Sequence, residues 1–94
     1  MEFLARITTN LPADMDESAR AALLAEEAAA GRTLMEAGTL KRIWRVPGHF
    51  ANVSLWEVPD ATALHAAISS LPLWNWQAVD VTPLAVHPLE GERA

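Results

Sequence analysis

The chain has no cysteine. That absence excludes disulfides, thiolate nucleophiles and thiolate-rich metal sites, and it suits a reducing cytoplasm. Cations are also scarce, with seven Lys and Arg against twelve Asp and Glu and a formal net charge of −5. Nucleic-acid binding relies on clustered Lys and Arg, so no nucleic-acid partner is expected. No stretch approaches the roughly 20 apolar residues that a membrane span requires. The opening MEFLARITTN alternates polar and apolar residues and lacks a basic segment followed by an apolar run, so it does not read as a signal peptide. The three histidines have no metal-ligand spacing, and there is no glycine-rich loop to cradle phosphate. Ser54, Ser69 and Ser70 lack the context of a nucleophile elbow. The sequence therefore predicts no metal, no cofactor and no serine hydrolase.

What is present is the balance of a soluble globular protein, 51% hydrophobic and 20% charged, in 94 residues that make a single domain over 1–94. Phe3 to Thr9 alternates as a strand and ends at Leu11-Pro12. An Ala-, Leu- and Glu-rich stretch predicts a helix over about 16–37, with Asp14 or Asp16 capping its start and Gly38 closing it. Leu40 to Val46 and His49 to Val58 alternate as two strands of a hairpin around Pro47-Gly48. Asp60 can cap a short helix whose Leu64, Ile68 and Leu71 share one face, and Pro72 stops it. Residues 76–86 resume strand alternation, and the tail after His87-Pro88 is polar and expected to be mobile.

The order β-α-β-β-α-β is the ferredoxin-like pattern of an α+β fold, a four-stranded antiparallel sheet with two helices on one face. The other face would stay open. Large apolar side chains on the strands then predict a homo-oligomer.

The sharpest anomaly lies in the first helix. At 100° per residue its inward stripe holds Ala19, Leu23, Ala30, Leu34 and Ala37, and Glu27 falls about 40° from the stripe centre, with Glu26 about 60° to the other side. A carboxylate there is either a boundary residue paired with an arginine or a general base working near neutral pH. The hairpin supplies further candidates. With Val46 and His49 flanking the turn, one face carries Leu40, Arg42, Trp44, Val46, His49, Ala51, Val53 and Leu55, and the other Lys41, Ile43, Arg45, Phe50, Asn52, Ser54 and Trp56. Neither face is purely apolar. The arginines are either solvated strand residues stacked on tryptophan or the carboxylate clamp of a cleft for a small anion, with Asn52 or His49 as neutral donors. His65 lies one position past the Leu64 stripe, where a histidine is usually a boundary residue, and His87 is a weaker candidate still. The tryptophans at 44, 56, 74 and 76 read most simply as core or interface.

Five stretches carry a resemblance: LPADMD at 11–16, EAGTLKRIWRVPGHFANVSLWEVPD at 36–60, ALH at 63–65, SLPLWNW at 70–76 and HP at 87–88. Together they are similar to the muconolactone Δ-isomerase family almost end to end. The resemblance implies sheets paired as dimeric α+β barrels, rings such as decamers, and a place in aromatic catabolism on the β-ketoadipate pathway. It also implies a reaction that moves the ring double bond of muconolactone to give 3-oxoadipate enol-lactone without metal or cofactor. Such a reaction needs a base, donors for a developing dienolate oxygen and a cation for the substrate carboxylate. On residue chemistry Glu27 suits the first role, Asn52 with His49 the second, and Arg45 or Lys41 the third. Phe50, Ser54, His65 and Trp74 complete the substrate-contact candidates. The chain departs from the family at Leu24 and Ala28, where lysines are common, and at Trp74-Asn75-Trp76, where an aromatic-proline-tyrosine run is common. Two alternatives remain open at this point: proton transfer on another unsaturated lactone or polyketide-like ring, and an oligomeric small-molecule binder without catalysis.

Overall fold

Asp16, rather than Asp14, opens the long helix: its carboxylate accepts from the N–H groups of Ser18 at 3.1 Å and Ala19 at 3.2 Å. In the computed structural model, which describes residues 1–91, that helix is α1, Glu17–Glu36. Gly38 ends it at φ 78°, a conformation glycine adopts without steric cost. The N–H groups of Gly38 and Thr39 bond back to Met35 at 3.1 Å and Leu34 at 3.0 Å, which satisfies two terminal carbonyls. The second helix, Ala61–Ser69, here α2, starts in the same way, with Ala63 N–H donating to Asp60 at 2.8 Å.

The strands are β1 (Glu2–Thr9), β2 (Leu40–Arg45), β3 (Ala51–Glu57) and β4 (Gln77–Leu84). They form one antiparallel sheet in the order β2-β3-β1-β4. A 3-10 turn over Trp74–Trp76 precedes β4, so the last strand is shorter at both ends than alternation over 76–86 predicts. Within the tail, Pro88–Gly91 makes a helical turn, α3, which His87 starts by accepting the Leu89 N–H at Nδ1, 3.1 Å away, and the rest of the tail expected to be mobile lies outside the described residues.

Two details of the hairpin differ from the alternation. The loop is longer than Pro47-Gly48: His49 N–H donates to Val46 O at 3.2 Å, Val46 N–H donates to Ala51 O at 3.1 Å, and Gly48 takes φ 81°. His49 and Phe50 thus belong to the connection, and Arg45 pairs with Asn52. The slip relative to the expected pairing is two residues, so the side chains from Arg42 to Arg45 and from Asn52 to Trp56 keep their faces. The second detail is a bulge. Leu40 opposes Trp56 while Arg42 opposes Leu55, which leaves Lys41 as an extra residue. Leu40 therefore joins the inner face and is buried, and Lys41 turns to the surface, where its Nζ meets Glu2 at 3.4 Å.

Phe3, Ala5 and Ile7 of β1 pack with Leu40, Trp56 and Val58, and Leu64, Ile68 and Leu71 close over them. Ala30 and Leu34 of α1 join the same cluster, so both helices lie against one sheet face. The other face carries Leu4, Val53 and Leu55, each half-buried, beside Trp44, over whose ring the Arg42 guanidinium stands at 5.0 Å.

Candidate active site

Alpha-1 has no fully buried residue along its 20 positions. Its inward side chains are modest in size, and between Leu24 and Leu34 they are Glu27, Ala28, Ala30 and Gly31. The space they leave against the sheet is a cleft of about 460 Å³. Its floor is the inner face of the central strands, with Ile7 and Thr9 from β1 and Asn52, Ser54 and Trp56 from β3. Beta-2 supplies Ile43 and Arg45, the hairpin loop supplies Phe50, and the segment before β4 supplies Leu71, Leu73 and Gln77. The size fits a small ring compound.

Among the described residues Glu27 is the only acidic group in the wall of this cleft and makes no ion pair with an arginine. Its Oε1 accepts the backbone N–H of Leu73 at 2.9 Å, and Oε2 accepts Nε2 of Gln77 at 3.2 Å. Both donors are neutral, and with one on each oxygen the plane of the carboxyl group is fixed. Glu26, one residue earlier, is exposed and outside the lining. Helical geometry alone left the two close, and the structure turns Glu27 inward.

The lining also carries two amides, Asn52 and Gln77. The side-chain oxygens of Asn52 and Gln77 are both enclosed without a hydrogen-bond partner. Unpartnered buried polar atoms are uncommon in folded proteins, and two in one cleft mark it as a place where polar groups are kept for something other than packing. The cations of the lining are Arg45 on β2 and Arg32 on α1, both exposed at its edge. Phe50 closes one end, 38% exposed, with the Arg20 guanidinium 5.7 Å from its ring centre. An anionic, planar molecule would meet a carboxylate within, the Asn52 amide on the floor and guanidinium groups at the rim.

Among the residues singled out from sequence, Glu27, Arg45, Phe50, Asn52 and Ser54 thus meet at one cleft. Ser54 is fully buried, and its hydroxyl is engaged, accepting Trp56 Nε1 at 2.8 Å and donating to Ala5 O at 3.4 Å. It positions the tryptophan of the floor and has no donor left for a ligand. Four others lie elsewhere. His49 is exposed in the hairpin turn, and Lys41 is at the surface with Glu2 because of the bulge. His65 and Trp74 meet edge to face at 5.5 Å and border a separate shallow groove of about 290 Å³ between α2 and β4. Sequence reading missed Gln77, Arg32 and the Leu73 N–H. Gln77 had a signal, since it stands two residues before the inward-facing Val79 on the same strand. Among the described residues no group of three or more His, Cys, Asp or Glu side chains is arranged to hold a metal ion, and no helix is long and apolar enough to cross a membrane.

Residues 1–90 match the family model of muconolactone delta-isomerase. The chain is 36% identical to the muconolactone Delta-isomerase of Pseudomonas aeruginosa over 88 residues, which cover 94% of this chain and 92% of that one. It is 38% identical to the enzyme of the same name from Cupriavidus pinatubonensis, covering 94% and 96% of the two chains. A crystal structure of muconolactone isomerase at 3.3 Å resolution superposes with a TM-score of 0.88 at 38% identity, over 94% of this chain and 92% of that one.

Proposed function

The chain belongs to the muconolactone Δ-isomerase family, and on that premise we propose that its α1 cleft converts muconolactone to 3-oxoadipate enol-lactone, with Glu27 as the base. The isomerase activity follows from the family. The assignment of residues rests on one observation, a carboxylate held by two neutral donors inside a cleft with two unpartnered amide oxygens and a cationic rim.

The ring proton to be removed is conjugated through the double bond to the lactone carbonyl. Taking it as a proton leaves a dienolate whose charge gathers on the carbonyl oxygen. Glu27 accepts the proton, and Asn52, turning its amide nitrogen into the cleft, donates to that oxygen as charge develops. Arg45, with Arg32 across the rim, holds the substrate carboxylate. Return of the proton to the carbon beside the carbonyl completes the shift of the double bond, and Glu27 is again a carboxylate. The balance is one proton moved, with no electrons exchanged and no leaving group. Cofactor-free chemistry is therefore sufficient.

The test is direct. Purified protein treated with a chelator should isomerise muconolactone, followed by ultraviolet absorbance or proton NMR. Activity that returned only on adding metal or nucleotide would refute the cofactor-free reading.

We read the βαββαβ order as ferredoxin-like, and its open face as the surface through which two copies pair as an α+β barrel within a larger ring in the cytoplasm. Leu4, Val53 and Leu55 beside the exposed Trp44 support an association through that face. Light scattering after size exclusion should give at least a dimer at micromolar concentration. A monomer there would overturn this reading.

A further inference from the structure

We propose that Gln77 is a positioning residue for the base, acting on the reaction through Glu27 and touching no substrate atom. The proposal rests on the reading of Glu27 as base. Its own ground is the geometry at the mouth of β4. Gln77 is the first residue of that strand, and its amide nitrogen reaches Oε2 of Glu27 at 3.2 Å while Leu73 N–H takes Oε1 at 2.9 Å. One donor would leave the carboxylate free to rotate about its last bond. Two donors, one on each oxygen, fix its plane relative to the cleft, and a proton transfer depends steeply on that alignment.

The second ground is what Gln77 gives up. Its Oε1 is enclosed with no partner, although the side chain could have been apolar at that place among Leu71, Leu73 and the β1 residues. An unsatisfied buried oxygen lowers stability, so packing does not explain a glutamine there. The direction of the amide is set by Glu27: with oxygen and nitrogen exchanged, two acceptors would face each other. Gln77 thus resembles other groups retained at functional sites against the interest of the fold. The charged groups around the pair are few. Alpha-1 contributes Arg32 and β2 contributes Arg45 at the rim, while the lining residues from β1, β3, β4 and the 71–73 segment are neutral. The two donors are therefore the groups in direct contact with the carboxylate oxygens.

Gln77→Met keeps length and removes both polar atoms. It should lower kcat by roughly ten-fold or more with KM within about two-fold, because the lost bond orients the base and binds no substrate. The melting temperature should hold or rise, since the orphaned oxygen goes with the side chain. In a background of Glu27→Gln the same change should have no further effect on residual turnover, the signature of two residues acting as one unit. An unchanged kcat in Gln77→Met would overturn the proposal. So would a loss that came with a fall in melting temperature and a rise in KM, which would show a packing role, or a loss that added fully to that of Glu27→Gln. Failure of the underlying reading would look different: Glu27→Gln by itself would then retain activity.

Discussion

The two helices cover the same sheet face and do opposite things there. Alpha-2 places Leu64 and Ile68, each 3% exposed, against Phe3 and Trp56, and its nine residues close their side of the layer. Alpha-1 is more than twice as long and buries nothing fully. The contrast follows from side-chain volume. Leucine and isoleucine at helical spacing fill the gap to a sheet, whereas alanine, glycine and a glutamate at the corresponding positions of α1 cannot. The cleft is thus volume left unfilled on one side of a layer that is packed on the other. Close packing under α2 holds the strands in register, and that fixed floor lets a loosely covered site keep its geometry.

The contrast is broken most severely at the carboxylate in the cleft wall. Glu27→Gln keeps the shape of the α1 side and removes the basic oxygen, so kcat should fall by about two to four orders of magnitude, while the exposed Glu26→Gln should leave it close to wild type. Full activity in Glu27→Gln would place the base elsewhere. Stability should show the reverse asymmetry. Ile68→Ala on the packed side should cost about 2–5 kcal/mol by denaturant unfolding, the usual cost of a buried large-to-small change, and Leu24→Ala on the cleft side under about 1 kcal/mol. Equal losses would mean that the cleft wall is part of the core. The smallest effect is expected at the rim, where Arg45→Ala should raise KM by about ten-fold and leave kcat within a few-fold, as removal of uniform binding does. A change in kcat alone would assign Arg45 to the transition state instead.

Much of this could be read from local periodicity, and what could not was set by contacts between distant segments. Glu27 stood out because a helix has a fixed angular step, and its inward turn needed only that step. Asn52 and Arg45 were placed on one face correctly even though the hairpin loop is longer than Pro47-Gly48, because a two-residue slip preserves strand parity. Leu40 and Lys41 were exchanged because nothing in the alternation marks a bulge. Alternation assigns His49 to the strand, whereas Gly48 extends the turn through it. The role of Gln77 is silent in the sequence because it lies in a bond to a residue 50 positions earlier, and no pattern within β4 reports that bond. His65 and Trp74 share a groove because α2 faces β4, which only the strand order reveals.

The bulge at Lys41 also bears on how the gene can change length. Leu40 opposes Trp56 and Arg42 opposes Leu55, so removing the Lys41 codon would leave an unbroken alternation in which Leu40, Ile43 and Arg45 still face the helices and Arg42 and Trp44 still face away. A codon gained or lost at the tip of the connection, among residues 47–49, would change the loop and leave the strand unaltered. Loss of Ile43 or Trp44 has no such slack, because it would shift the alternation by one and put the residues on one side of the gap on the wrong face. Among descendants of this chain, gaps should therefore gather in the turn and at Lys41 and be missing between Arg42 and Arg45.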